Sequence, residues 1–121
     1  MALKILIIDD DFINRKLLQT LLKRKSDVVE IFEAENGSDA LDQVKKHSSI
    51  NFILLDIVMP IVDGIEFLKI YRSNKLYAET PVIILSTDDT RKTEALALGA
   101  NDFIRKPIKE KELFDKISRW T

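Results

Sequence analysis

The chain contains no cysteine. That excludes a disulfide framework, a thiolate-ligated zinc and a thiol nucleophile. Neither charge is in excess: 19 Lys and Arg stand against 20 Asp and Glu, a formal net charge of −1. A nucleic-acid-binding domain usually shows a basic surplus, so this balance argues against one. There is one histidine, His47, beyond the second helical segment and away from the acidic positions described below. It reads as a surface residue, and its placement argues against a histidine-phosphotransfer bundle. No apolar run approaches a membrane span. The N-terminus, Met-Ala-Leu-Lys, enters a strand-like run at once, unlike a signal peptide with a separate cleavage region. There is no internal repeat, low-complexity tract or linker-like tail. At 121 residues the chain is expected to form one domain, residues 1–121, able to bury a core without staples. The expectation is a soluble globular domain of the cytoplasm.

Five short apolar runs are present: Leu3–Ile8, Val28–Phe32, Phe52–Leu55, Val82–Leu85 and Phe103–Ile104. The first, third and fourth are continuously apolar, the pattern of strands covered on both faces. Helical periodicity fills the intervals. Ile13, Leu17, Leu18, Leu21 and Leu22 form one stripe, and Ala40, Leu41 and Val44 a second. Ile65, Leu68 and Tyr71, with Phe67 beside them, form a third. Ala95, Leu96 and Leu98 form a fourth that stops at Gly99, a usual helix C-terminal residue. Leu113, Ile117 and Trp120 form the fifth. Five β-α alternations predict an α/β fold, a parallel sheet with helices on both faces. Spacing does not fix the strand order. The five-stranded flavodoxin-like order 2-1-3-4-5 is the one expected, with its switch point between strands one and three.

The polar residues fall where the strands end. Strand one runs into Asp9, Asp10 and Asp11, strand three into Asp56, strand four into Ser86 and Thr87, and strand five into Arg105 and Lys106. Glu33 and Glu35 follow strand two. Ligands of open α/β sheets bind beyond the carboxyl ends of strands, so one crevice should collect Asp9, Asp10 and Asp56, with Ser86 and Lys106 approaching. Converging carboxylates repel unless a cation joins them. Oxygen-only donors suit Mg²⁺. Lys106 can bind a phosphoryl oxygen, Ser86 can donate a hydrogen bond, and a carboxylate can accept a phosphoryl group. Asp56 is the best acceptor, since the others then serve the metal. Plainer roles go to Asp11, an N-cap with no metal role, and to Asp63-Gly64, a turn and helix start. The alternating charges from Arg105 to Arg119 are read as a solvated helix surface.

The segments "ILIIDDD", "EAENGSDAL", "LLDIVMPIVDG", "PVIILST" and "GANDFIRKP" together resemble the receiver domain of response regulators, the phosphoacceptor module of two-component phosphorelay signalling. The resemblance spans nearly all the chain. It implies that Asp56 is phosphorylated by a sensor histidine kinase, a histidine-phosphotransfer protein or a small donor such as acetyl phosphate. Asp10 would bind Mg²⁺ directly and Asp9 largely through water, with the Val58 backbone carbonyl as a further ligand. Ser86 would be the switch hydroxyl, the Thr87 backbone would meet the phosphoryl group, Lys106 would bind it and Phe103 would be the aromatic switch. Thr87 stands where a smaller residue is usual, and Phe103 lacks the hydroxyl of the frequent tyrosine. Val58 and Asp88 fall at positions that tune phosphoryl lifetime. Lys106-Pro107 would be cis. The fourth helix, fifth strand and fifth helix would form the face for a downstream partner, an output domain or a homodimer. The domain would be a regulatory phosphoacceptor, catalysing only its own phosphoryl transfer and loss.

Three other readings compete. A haloacid-dehalogenase-type phosphohydrolase also uses an aspartate and Mg²⁺, but Phe12-Ile13 lacks its usual small or hydroxyl residue and the chain leaves little room for a cap. An FMN carrier needs a glycine- and hydroxyl-rich loop where three aspartates stand. A receiver-like scaffold that is never phosphorylated would not need the whole set Asp9, Asp10, Asp56, Ser86 and Lys106.

Overall fold

Alternate residues of a strand point to opposite faces, so a continuously apolar strand feeds two cores at once. That is the arrangement in this computed structural model, which describes residues 2–57, 63–87 and 89–121. The strands are β1 (Leu3–Ile8), β2 (Val28–Ala34), β3 (Phe52–Asp56), β4 (Val82–Ser86) and β5 (Asp102–Arg105). All four pairings are parallel, in the order β2-β1-β3-β4-β5. The helices are α1 (Phe12–Leu22), α2 (Gly37–Lys46), α3 (Gly64–Ser73), α4 (Lys92–Ala97) and α5 (Glu110–Arg119), with a 3₁₀ turn at Lys75–Tyr77. The expected α/β fold and strand order are both present.

On one face Leu6, Ile8, Ile53, Leu55 and Ile84 pack with Ala40, Val44, Phe67, Leu68 and Ala95 from α2, α3 and α4. On the other, Ile5, Ile7, Leu54, Ile83 and Leu85 pack with Leu18 and Leu22 of α1 and with Leu113 and Ile117 of α5. Each fully buried Leu or Ile contributes about 1.5–3 kcal/mol. Adjacent β5 residues divide between the layers, Phe103 to the first and Ile104 to the second.

The helix starts follow from short polar side chains. Asp11 accepts the Ile13 N–H at 2.8 Å, Asn36 that of Asp39 at 2.8 Å, and Asp63 that of Glu66 at 2.9 Å. Asp11 and Asp63 therefore have the capping roles expected of them. Gly99 ends the α4 segment at φ 109°, where a side chain is strained.

Three helical stripes are narrower than their spacing predicts. Ile13 and Leu17 are 62% and 60% exposed, so only part of the α1 stripe is core. Of the α4 stripe Ala95 is buried, whereas Leu96 is exposed. Trp120 lies just beyond α5 and is drawn out of the stripe by a hydrogen bond from its indole N–H to Asp102, 3.0 Å away. Strands β2 to β5 run past the apolar residues that define them, because ladder pairing continues into Ala34, Asp56, Ser86 and Arg105.

Candidate functional site

Register brings the acidic residues together. Ile8 of β1 lies opposite Leu55 of β3, so the next residues, Asp9 and Asp56, emerge side by side. Asp9 is fully buried, Asp56 is 7% exposed and Asp10 stands in solvent. One carboxylate oxygen from each lies within 4.8 Å of the others. Three charges so close repel strongly.

The countercharge comes from β5. Ser86 pairs with Arg105, and the Lys106 N–H donates to the Ser86 carbonyl at 2.7 Å. This leads the Lys106 side chain back over the crevice. Its Nζ lies 3.3 Å from Asp9 Oδ2 and 3.7 Å from Asp56 Oδ2. The following Lys106-Pro107 peptide is cis, as expected. Asp9 Oδ1 accepts the Asp11 N–H at 2.8 Å. The Asp10 carboxylate makes no hydrogen bond or ion pair among the described residues.

Asp56 is also fixed from behind. Its carbonyl oxygen would lie 2.4 Å from a Cβ at position 64, so only glycine lets α3 approach β3 this closely. The Gly64 N–H donates to Ile57 O at 2.9 Å, tying the helix start to the residue after Asp56.

The sequence therefore located Asp9, Asp10, Asp56 and Lys106 at one crevice. Ser86 is the last residue of β4, 4% exposed, and Thr87 after it is exposed. Phe103 is 7% exposed in the core under α4, with Lys92 Nζ 5.5 Å from its ring centroid. Val58, Met59, Pro60 and Asp88 lie outside the described residues. His47 caps the end of α2 and stacks on Phe32 at 4.4 Å, away from the acids. Glu33 belongs to β2 rather than to the crevice, and Arg15 engages it at 3.0 Å.

Periodicity missed the apolar rim. A groove of about 200 Å³ runs from Asp9 and Lys106 along Leu17, Leu18 and Leu21 to Pro107 and Ile108. Leu17 of this lining stands exposed, as do Phe12 and Ile13 on the first turn of the same helix, α1. The signal was present in the sequence as an apolar stripe one face too wide for a core.

Chemically, the crevice offers oxygen donors of differing exposure with a lysine at their edge. An all-oxygen set with an open side suits Mg²⁺, which keeps several waters. The residues present fit that ion.

Comparisons with known proteins agree with this geometry. The family model described as "Response regulator receiver domain" matches residues 5–118. The transcriptional regulatory protein SrrA of Staphylococcus aureus is 36% identical over 115 residues, 93% of this chain but 45% of that protein. The hybrid signal transduction histidine kinase M of Dictyostelium discoideum is 36% identical over 110 residues, 86% of this chain and 4% of that protein. The chain thus spans less than half the length of these relatives. Among solved structures, the Vibrio cholerae chemotaxis protein CheY4 superposes with a TM-score of 0.90 at 28% identity, covering all of both chains.

Proposed function

The chain belongs to the response regulator receiver domain family, and from that premise we propose that Asp56 is its phosphoacceptor, with Asp9 and Asp10 holding Mg²⁺ beside it. A receiver domain is a regulatory module of two-component signalling rather than a conventional enzyme. The observation that carries the proposal is Lys106 Nζ poised between Asp9 and Asp56 over the three-carboxylate crevice.

When bound, Mg²⁺ neutralises charge on the transferring phosphoryl oxygens. The chain's own residues do the rest. An Asp56 carboxylate oxygen forms a bond to phosphorus as the donor's bond breaks. From a phosphohistidine that is the P–N bond, and the imidazole leaves and takes up a proton. From acetyl phosphate it is the P–O bond, and acetate leaves. Lys106 turns from the carboxylates to a phosphoryl oxygen, and Ser86 donates its hydroxyl hydrogen bond. The Thr87 backbone meets the same group. Phe103 then repacks and shifts the population between two arrangements of the face built from α4, β5 and α5.

That face is the proposed surface for an output domain, a downstream partner or a second copy. The donor is a sensor histidine kinase or a histidine-phosphotransfer protein of the cytoplasm. Its histidine must reach the mouth of the crevice. Phe12, Ile13 and Leu17, with the groove to Ile108, are therefore its proposed seat.

Incubation with Mg²⁺ and acetyl phosphate, read by intact mass, tests the proposal. One base-labile phosphoryl adduct is expected, absent without Mg²⁺ and absent in Asp56→Asn. No adduct would favour the unphosphorylated scaffold. Steady turnover of phosphomonoesters would favour the phosphohydrolase, which the family match does not.

A further inference from the structure

Arg15 sits on the first turn of α1 beside the acidic loop, with a side chain only 12% exposed. It touches none of the three clustered carboxylates. Its Nη1 donates to the Asp9 backbone carbonyl at 2.7 Å and its Nε to Glu33 Oε1 at 3.0 Å. One guanidinium therefore joins α1, the end of β1 and the end of β2.

We propose that Arg15 is a positioning residue for Mg²⁺ binding, which braces the Asp9–Asp10 peptide so that the Asp10 carboxylate faces the crevice. This rests on reading the site as a Mg²⁺-assisted phosphoacceptor. Asp9 is held at every polar atom: its N–H by Ala34 O at 3.1 Å, Oδ1 by the Asp11 N–H, Oδ2 by Lys106 and its carbonyl by Arg15. Among the described residues the Asp10 side chain has no such partners, so the backbone from which it springs sets where it starts. A peptide unit is planar. Holding the Asp9 carbonyl holds the Asp10 N–H and the start of the Asp10 Cα–Cβ vector. Without the brace, the metal-free loop relieves its charge repulsion by swinging the Asp10 carboxylate away from Asp9 and Asp56. The metal must then reorder it. Glu33 balances the charge of Arg15, so the brace holds the loop without adding a net cation to the site.

The proposal has a sign that simple electrostatics does not share. If Arg15 acted only as a nearby positive charge, its neutralisation would tighten Mg²⁺ binding. A positioning role predicts loosening. Calorimetric titration of MgCl₂ into the 121-residue chain, without phosphodonor, distinguishes the two. Arg15→Met should bind Mg²⁺ about tenfold more weakly, at the modest end for residues that orient metal ligands. Arg15→Lys, which keeps the charge and can reach one acceptor, should recover part of the loss. The Mg²⁺-induced shift of the Asp10 amide signal should shrink in the same order. Affinity unchanged or tighter in Arg15→Met overturns the brace while leaving the site intact. If Arg15→Met does not fold by circular dichroism, Arg15→Lys decides, and wild-type affinity in it overturns the brace. Absence of saturable Mg²⁺ binding in the wild type overturns the site itself, and the brace with it.

Discussion

At the carboxyl ends of the strands, Asp9, Asp10 and Asp56 bring three carboxylates within 4.8 Å and set one lysine against them. At the amino ends, polar groups meet their complements. Asn51 Oδ1 accepts the Lys4 N–H at 2.8 Å as β1 begins, and Asn101 Oδ1 accepts the Val82 N–H at 2.9 Å as β4 begins. Asp102 opens β5 between Lys116 at 3.1 Å, Arg119 at 3.5 Å and the Trp120 indole. One edge of the sheet is held under electrostatic tension, and the other closes the fold. Ligand binding needs unspent charge, so a site concentrates what a stable structure avoids. Substitutions at the two ends should then move stability in opposite directions.

The largest effect is expected at the closing end, from Arg72→Met. The Arg72 guanidinium donates to Gly99 O at 3.0 and 2.9 Å, to Asn101 Oδ1 at 3.0 Å and to the Tyr77 carbonyl. It binds α3 and the 3₁₀ turn to the loop entering β5. Methionine keeps the aliphatic packing over Gly99 and loses every one of these donors. Partly buried carbonyls left without a charged donor should cost about 2 kcal/mol. Urea unfolding monitored by circular dichroism measures it. A loss below a few tenths of a kcal/mol would mean that water replaces the arginine at no cost.

How much of this contrast was legible in the sequence differs between the ends. Asp9 and Asp56 could be placed because each directly follows a run that reads as a buried strand, and Lys106 because it comes two residues after the short fifth run; the topology then gathers strand ends. The closing end was opaque. Lys116 and Arg119 read as solvated helix charges, yet they meet Asp102 across 14 and 17 positions of chain. No local spacing encodes such a partner. The same holds for Arg15 and Glu33. Ile13 and Leu17 failed for another reason. Helical period identifies an apolar face but not what covers it, and on the first turns of α1 that face is left exposed instead of packed on the sheet.

At the tense end the expected change is smaller and of the other sign. Asp9→Asn keeps an oxygen to accept the Asp11 N–H and removes one of three like charges. Lys106 retains Asp56 as its partner. In EDTA the variant should be more stable than wild type by about 1 kcal/mol. Saturating Mg²⁺ should narrow or reverse the gap, since only the wild-type site retains its full set of carboxylates and ligand binding stabilises the folded state. Thermal unfolding with and without the ion reads both. A variant less stable in EDTA would show that the Lys106 pairing outweighs the repulsion.

The smallest effect should come from Asp102, and its pH dependence identifies it. Burial alone pushes this carboxyl up, but hydrogen bonds from Trp120, from the Phe103 N–H and from Lys116, with the Lys116 charge, outweigh burial and leave it below the ordinary aspartate value. A carboxyl whose pKa is lowered by folding stabilises the fold when ionised in both states. That contribution is complete above the unfolded-chain value of about 3.9. It fades as pH falls below that value and is gone once pH has passed through the folded one. Asp102→Asn should therefore be less stable than wild type at pH 7 by about 0.5 kcal/mol, discounted for the solvent that reaches Arg119 and Trp120. The two stability curves should converge as pH drops below 4. A gap that stayed constant into acid would assign the loss to packing around Trp120 instead of to the charge that closes this end of the sheet.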